Sequence, residues 1–421
     1  MIVLSGAELV LPDRILSPGT LVVEAERIVE IRSDAPPAGG HSHPPFAFHN
    51  HYIVPGFIDV HVHGVEGFDS LDGRDAIRSI AARLPRYGVA AFCPTTLACA
   101  PDALRTVLDQ VRRARETPEA RSARVLPAHL ESNFINPEFR GAQPLECLRS
   151  PRAALSEWSV RRADPSGPAD LASPKDLPYA SVDFAAADIL AEIERAAPDV
   201  GIVTIASELD GGLDLVRWLC TRGHRVSLGH SNATYEQALA AIDAGARHAT
   251  HLFNRMPPLH HRLPGLAGAI LQTDEVAAEL ICDGFHVHPA LLRTAIAAKR
   301  PSRVLAITDG TAAAGLPVGS RARIGGRAIT AGDSSAVLDD GTIAGSVWTM
   351  DRAFQTLVGR IGLPLVDAVA LCSTTPAREL GLVGHGVLAV GAVADLVVLD
   401  AQFNVVQTYI GGQLVYSKAA T

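Results

Sequence analysis

The chain has few aromatic residues and no closely spaced cysteine pair, and its cysteine pattern bears on disulfides and thiolate metal sites. Only 5% of its 421 residues are aromatic, and its six cysteines include no Cys-x-x-Cys pair. Several of these cysteines lie in apolar or small-residue runs, where buried free thiols are usual. We therefore expect neither disulfides nor thiolate metal sites.

The chain also lacks the charge and hydropathy patterns of two large classes of partner. A formal net charge of -8 and a pI near 6.0 argue against nucleic acid, because a phosphate backbone needs a basic face to displace its counterions. No apolar run reaches membrane-spanning length without a charge or a proline. Residues 1–14 alternate apolar and polar side chains, unlike a signal peptide. We predict a cytoplasmic protein with no nucleic-acid or membrane partner.

Apolar residues are abundant, and they follow a pattern of alternating strands and helices. They make up 48% of the chain, and a chain of this length accommodates one large barrel plus a modest accessory domain. Residues 1–54 are typical of short strands between turns rich in Gly and Pro. From Val54 onward, apolar runs alternate with alanine-rich helical stretches, which indicates a parallel sheet. Strand-like character returns in residues 394–416.

These patterns predict an α/β fold, a (β/α)8 TIM barrel with a small β-sandwich domain built from both chain ends. The sandwich comprises residues 1–54 and 384–421, and the barrel comprises residues 55–383. Residues 41–51 hold four histidines among prolines, which is typical of a loop that binds metal only adventitiously. The polar segment near 144–183 is long for a barrel connection, and we expect this insertion to cover part of one barrel face.

The most informative segment is VPGFIDVHVHG, in which His61 and His63 lie two positions apart at the end of an apolar strand. Side chains two apart on a strand share one face, so both imidazoles point the same way into a barrel mouth. A structural histidine pair is the alternative interpretation. Neutral imidazoles suit zinc, which needs at least one further ligand.

Three more candidate ligands follow other apolar stretches, namely Glu131, His230 and His251. Taken alone, Glu131 has the simpler interpretation of an exposed loop glutamate. In a TIM barrel, however, catalytic groups come from the ends of several strands. Asp309, in LAITDG, stands at another such end, where it can cap a helix. Beside a metal-activated water it can instead take a proton and pass it to a leaving amine.

With these motifs assembled, the chain resembles the N-acetylglucosamine-6-phosphate deacetylase branch of the amidohydrolase superfamily over nearly its whole length. The resemblance rests on segments in the family's order: PGFIDVHVHG, the strand bearing Glu131, GHSNATYEQA, ATHLFNRMPPLHHRLPGLAGAI, DGFHVHP, ITDGTAAAG, GTIAGSVWTM and GVLAVGAVADLVVLD. It implies that Glu131, His230 and His251 hold a principal divalent metal. It further implies that His61 and His63 allow a second one, with Glu131 bridging, so that we expect two zinc ions per chain rather than one.

The resemblance also implies roles for residues that no pattern identifies alone. Asp309 matches the family's catalytic aspartate, and Asn254 would help to hold the sugar. Arg262 and His286 match contacts to the substrate phosphate, with the arginine typically supplied by the neighbouring subunit. A solvated arginine and a structural histidine are the alternatives. The resemblance thus implies a small phosphorylated substrate and a homodimer.

The chain departs from the family pattern at the wall of the expected pocket. Ser132 and Asn133 replace a Gly-Pro turn after the metal-binding glutamate, and we expect them to line the substrate pocket. Gln143 stands where the family has a histidine that polarises the amide carbonyl. An amide NH2 can still donate to a developing oxyanion but cannot become cationic.

The sequence therefore predicts a metal-dependent deacetylase that hydrolyses the amide of an N-acetylated amino sugar, a phosphorylated one such as N-acetylglucosamine 6-phosphate or a relative. One alternative is an amidohydrolase acting on another N-acyl amine, of the N-acyl-amino-acid deacylase type. Relatives that open cyclic amides usually carry a carboxylated lysine as the bridge, whereas this chain offers Glu131. A non-catalytic homologue is the remaining alternative, although such a protein would be expected to have lost ligands.

Overall fold

Eight parallel strands form a barrel in which each strand lies beside the next one in the chain. The computed structural model describes residues 1–34, 48–163 and 183–418. We label the barrel strands β1 to β8: Phe57–Val62, Val89–Thr96, Ala128–Glu131, Val200–Ile205, Arg225–Leu228, His248–Ala249, Ala277–Ile281 and Val304–Ile307. Neighbours pair from β1 to β8, and a bridge between Val62 and Gly310 joins the two ends of the sheet. The predicted barrel is confirmed.

Helices surround this sheet and cover its apolar outer face. The α-helices are Ala76–Arg83, Pro101–Glu116, Pro151–Ala163, Ala186–Ala196, Gly212–Cys220, Tyr235–Asp243, Gly265–Gln272, Pro289–Lys299, Met350–Gln355, Leu365–Val369 and Thr375–Glu379. Helix Pro101–Glu116 buries Leu104, Val107, Leu108 and Val111, which recur at helical spacing and form one apolar stripe. Every residue of β2 is buried in turn, as expected for a parallel strand covered on both faces.

The two chain ends form a separate, mostly antiparallel sheet. Its strands, in spatial order, are Gln413–Ser417, Val405–Ile410, Leu396–Leu399, Tyr52–Pro55, Ile2–Val10, Ile15–Glu24 and Arg27–Ser33. Side chains of strand Leu396–Leu399 point alternately to its two faces. Leu396 and Val398 pack in the sheet's own core, while Val397 and Leu399 pack in the barrel core. The predicted domain made from both ends is confirmed, and the boundaries near residues 54 and 384 stay predictions.

A second small sheet follows β8, and the sequence analysis missed it. Its four antiparallel strands are Arg321–Ile324, Arg327–Ala331, Ser335–Leu338 and Ile343–Ser346. Strands of four or five residues leave too few alternations to detect by pattern. Ser346 bridges Gly310, so the last strand returns to the end of β8. The adjoining Gly345 has φ 120°, and a Cβ there would lie 2.9 Å from Asp309 O, so only glycine fits.

The two predicted insertions fall partly outside the described residues. Of the histidine-rich segment 41–51, residues 41–47 lie outside them, and so do residues 164–182 of the segment near 144–183. The described part of the second segment includes helix Pro151–Ala163. Within the described ranges, no helix has both the length and the apolar character needed to cross a bilayer, and all six cysteines are free thiols.

Candidate metal-dependent active site

The candidate site lies at the C-terminal ends of five barrel strands. His61 is in β1 and His63 follows it, while Glu131 ends β3. His230, His251 and Asp309 each come two residues after a strand, namely β5, β6 and β8. All three have positive φ, at 47°, 29° and 48°. Residues other than glycine adopt such a backbone conformation at a cost of about 1–3 kcal/mol. The sharp turn at each strand end directs these side chains back over the barrel axis.

Glu131 lies at the centre of the site. Its Oε1 is 2.9 Å from Nε2 of both His230 and His251, and its Oε2 is 3.4 Å from His63 Nε2. Burial alone would raise the pKa of Glu131, but the surrounding imidazoles, His230 foremost, hold this pKa well below its usual range. The two carboxylate oxygens therefore face two different groups of ligands.

The second group consists of His61, His63 and Asp309. Asp309 Oδ1 lies 3.3 Å from His61 Nε2 and 3.4 Å from His63 Nε2, and the two imidazole nitrogens are 3.3 Å apart. Burial would raise the pKa of Asp309, whereas the two imidazoles lower it below its ordinary value. Asp309 is thus an anion at neutral pH, and it stands beside both histidines of the HxH pair.

The hydrogen bonds around the imidazoles show that this site fits a cation. His230 Nδ1 lies 2.8 Å from the carbonyl oxygen of Phe139, which can only accept, so Nδ1 carries a proton. His230 Nε2 also lies 3.0 Å from His251 Nε2, and both nitrogens face Glu131 Oε1, so a cation bound here would be shared by all three atoms. Imidazole nitrogens together with carboxylate oxygens are a ligand set that suits a divalent metal such as zinc. The donor atoms of Glu131, His230 and His251 all lie within 4.8 Å of one another.

Glu279, which the sequence analysis missed, supports both groups from below. It belongs to β7 and has no exposed surface. Its Oε2 accepts from His61 Nδ1 at 2.9 Å and from the His251 backbone N–H at 3.2 Å, and its Oε1 lies 2.9 Å from His248 Nε2. A carboxylate in this position fixes the tautomer of a metal-binding histidine. The available signal was a glutamate inside the otherwise apolar strand Ala277–Ile281.

A cavity of about 480 Å³ opens above the carboxylates, a size typical of small-molecule sites. His286 and Asn254 line it, together with His63, Glu131, His230, His251 and Asp309. The Nδ1 atom of His286 lies 2.6 Å from Asp283 Oδ2, while its Nε2 has no hydrogen-bond partner among the described residues. Arg255 also lines the cavity, although no pattern in the sequence distinguished it from other arginines.

The residues that depart from the family pattern take other positions than expected. Ser132 donates to the Thr204 carbonyl oxygen, and Asn133 donates to two backbone carbonyl oxygens. Both side chains are buried and neither lines the cavity, so the structure does not bring them to the substrate pocket. The sequence could not indicate this, because tertiary partners decide where these side chains point. Their expected substrate contacts therefore find no support in this geometry.

Two further candidates, Gln143 and Arg262, are placed differently from each other relative to the cavity. Gln143 lines the cavity, but its Nε2 donates to Glu131 Oε2 and its Oε1 accepts from the Ala98 N–H. One N–H of this amide therefore holds the central carboxylate, which leaves the other N–H for an oxyanion. Arg262 is exposed and does not line the cavity of its own chain. A role for Arg262 would require another copy of the chain.

A barrel with histidines and carboxylates around a cation site at its C-terminal face defines a metal-dependent amidohydrolase. Comparison with known proteins agrees, because the amidohydrolase family matches residues 222–415. An N-acetylglucosamine-6-phosphate deacetylase from Danio rerio is 35% identical, over 88% of this chain and 85% of the relative. An N-acetylgalactosamine-6-phosphate deacetylase from Escherichia coli O157:H7 is 33% identical, over 86% and 87%.

A solved structure is similar over the whole fold. It is an N-acetyl-D-glucosamine-6-phosphate deacetylase variant from Mycobacterium smegmatis in complex with N-acetyl-D-glucosamine-6-phosphate. It has a TM-score of 0.83 and 30% identity, and the match covers 99% of each chain. The chain belongs to the N-acetylglucosamine-6-phosphate deacetylase branch of the amidohydrolase family.

The position of Glu279 leads to a prediction about metal affinity. In Glu279→Gln, the side chain that accepts from His61 Nδ1 loses its negative charge and exchanges one acceptor oxygen for an NH2 group, so His61 should be held less firmly in its orientation. We expect affinity for zinc to fall about 10- to 100-fold, the usual effect of removing such a support. Competition with a chromophoric chelator measures this. Glu236→Gln, on the exposed face of helix Tyr235–Asp243, is the control, and unchanged affinity in folded Glu279→Gln would contradict the assignment.

Proposed function

We propose that the chain hydrolyses the acetamide of a phosphorylated N-acetyl amino sugar, releasing acetate and the free amine. The observation that carries the proposal is the position of Asp309, which lies beside the ligand histidines and faces the substrate-sized cavity. Relatives that act on N-acetylglucosamine 6-phosphate and on N-acetylgalactosamine 6-phosphate support the substrate class. The two sugars differ in the configuration of one hydroxyl group, so these relatives leave the choice of sugar to experiment.

We propose zinc as the metal, with two ions per chain. One ion would be held by Glu131, His230 and His251, and the other by His61 and His63, with Glu131 shared between them. The two oxygens of Glu131, which face different ligand groups, support a bridging role. When bound, such a metal supplies Lewis acidity that activates water and polarises an amide carbonyl.

The chain's own groups account for the proton transfers of the reaction. Water adds to the carbonyl carbon, and Asp309 accepts the proton that this water loses. The C–N bond then breaks, and Asp309 returns its proton to the amine nitrogen, so the carboxylate ends as it began. The cycle starts from the anionic form of Asp309, which is the ordinary form of an aspartate at neutral pH. Burial of this carboxylate limits exchange of the proton with bulk solvent.

Other residues hold the substrate and the central carboxylate in place. We propose that Gln143 orients Glu131 through one N–H and offers the other to the developing oxyanion. Asn254 and His286 hold the sugar and its phosphate. We propose a homodimer in which the exposed Arg262 reaches the partner's cavity. Six free thiols support a reducing, cytoplasmic location.

An assay of acetate release tests the proposed function directly. We expect the zinc-loaded chain to release acetate from N-acetylglucosamine 6-phosphate or N-acetylgalactosamine 6-phosphate, and more slowly from the unphosphorylated sugars. N-acetyl amino acids serve as the comparison panel, because an N-acyl-amino-acid deacylase would prefer them. Release from the amino acids alone would refute the proposed substrate class, and no release from any compound would favour a non-catalytic homologue.

The role of Asp309 predicts the behaviour of Asp309→Asn. An amide of the same shape cannot accept the proton, so turnover should fall by roughly two to four decades. Metal content and the thermal unfolding midpoint should stay close to the parent values if the residue acts mainly as an acid and base. Steady-state kinetics with matched metal analysis provides the measurement, and near-normal turnover in the folded variant would remove Asp309 from the mechanism.

The intact His61 and His63 pair predicts the metal stoichiometry. After loading with excess zinc and removal of loose metal, elemental analysis should approach two ions per chain. His61→Ala combined with His63→Ala should bring the value close to one, because Glu131, His230 and His251 remain. A parent value that stays near one would show that the pair binds no metal.

A further inference from the structure

Arg255 is a cationic residue that lines the cavity above Glu131 and Asp309, and the proposed mechanism gives it no role. Arg255 lies in the turn that begins at His251. The backbone of this turn has positive φ at His251, Phe253 and Arg255. The Arg255 carbonyl oxygen accepts from the Ser231 N–H at 3.1 Å, which ties this turn to the loop carrying His230. Arg255 is thus placed by the same backbone that places two metal ligands.

The side chain of Arg255 lies directly against the loop before Gln143. A Cβ at Gly141 would come within 2.5 Å of Arg255 Nε, so the guanidinium can occupy this position only because residue 141 is glycine. Gly141 has φ 59°, which a larger side chain would rarely adopt. The loop and the arginine therefore form one wall of the cavity.

Arg255 is exposed to water, and its charge has no carboxylate partner in the part of the chain that the structure describes. Among the residues that the structure describes, no carboxylate forms an ion pair with it, although Glu138 lines the same cavity. Most other arginines that contact polar groups here have such a partner; Arg152, for example, pairs with Asp210 and Asp214. A guanidinium without a carboxylate at a cavity wall is well suited to bind an anion of a ligand, since its planar fork matches phosphate oxygens.

His286 is a second titratable side chain that lines the same cavity. Burial lowers the pKa of its imidazole, but the hydrogen bond with Asp283 raises it overall, and Arg255 is close enough to oppose protonation. Because Asp283 occupies Nδ1, the buried Nε2 atom is the one left without a partner within residues 1–34, 48–163 and 183–418. A ligand anion beside Arg255 and His286 would satisfy both groups.

We propose that Arg255, together with His286, forms an anion subsite within a single chain that selects phosphorylated substrates. The inference rests on the proposed function, and it assigns the choice between charged and uncharged substrates to a residue of the same chain as the metal ligands. Charge selection would then not depend solely on Arg262 from a second copy. Arg255 is a specificity-determining residue in this proposal, and it takes no part in bond breaking.

The kinetic test compares the phosphorylated sugar that the parent hydrolyses with its unphosphorylated form. For Arg255→Ala, we expect kcat/KM to fall about 10- to 100-fold with the phosphorylated sugar, mainly through KM, and to change little with the uncharged one. Arg255→Lys should restore part of the loss, because it keeps the charge without the planar fork. Arg293→Ala, an exposed arginine on helix Pro289–Lys299, is the matched control and should behave as the parent.

Equilibrium binding separates this inference from the proposed function. Calorimetry with glucosamine 6-phosphate and with glucosamine should show that Arg255→Ala weakens binding of the phosphorylated amine alone. If no variant releases acetate but this difference appears, the subsite stands and the deacetylase proposal fails. If acetate is released, yet Arg255→Ala affects both compounds equally or neither, the arginine has only a structural or solvated role and the inference is overturned.

Discussion

The carboxylate of Glu131 is the group on which the arrangement of this molecule depends. It lies within 2.9 Å of two imidazole nitrogens and faces a third from its other oxygen. Several lone pairs and negative charges converge in a volume from which water is excluded, so the centre is unfavourable unless a cation occupies it. The barrel makes this convergence possible because the ends of separate strands meet around one axis. Metal affinity and fold are therefore coupled properties of this chain.

The region below the site is also polar, which is unusual for a barrel interior. Glu279, His248 and His129 are fully buried, and His129 Nε2 lies 2.9 Å from Thr204 Oγ1. Thr204 in turn shares a 2.8 Å hydrogen bond with Thr250. Such a layer orients the ligands above it, but every member must keep its partner, because an unpaired polar atom at this depth costs about 1–3 kcal/mol. This buried polar layer therefore fixes the orientation of the ligands above it but tolerates substitution poorly.

Much of the fold and of the metal site could be predicted from the sequence, for identifiable reasons. Apolar runs followed by alanine-rich helices carry a strong repeating signal, and ligands such as His61 and His251 stand where those runs end. Ser132 and Asn133 lie away from the cavity in this structure, and position along the chain does not reveal which neighbour such a side chain will meet. Glu279 escaped for a related reason, since its hydrogen-bond partners His61 and His251 lie far away in sequence. The four-stranded sheet after β8 escaped because each strand is too short for its period to show.

The sheet built from both chain ends has a consequence for how the molecule assembles during synthesis. Tyr52–Pro55 directly precedes β1, and its hydrogen-bonding edge is completed by Leu396–Leu399. The partners are more than three hundred residues apart, so this edge stays open on the ribosome until almost the entire barrel has been translated. Strands with an unpaired edge are prone to mispairing with other chains. Ile2–Val10 pairs in parallel with the other side of the same strand, which leaves only one edge of Tyr52–Pro55 to be protected during that interval.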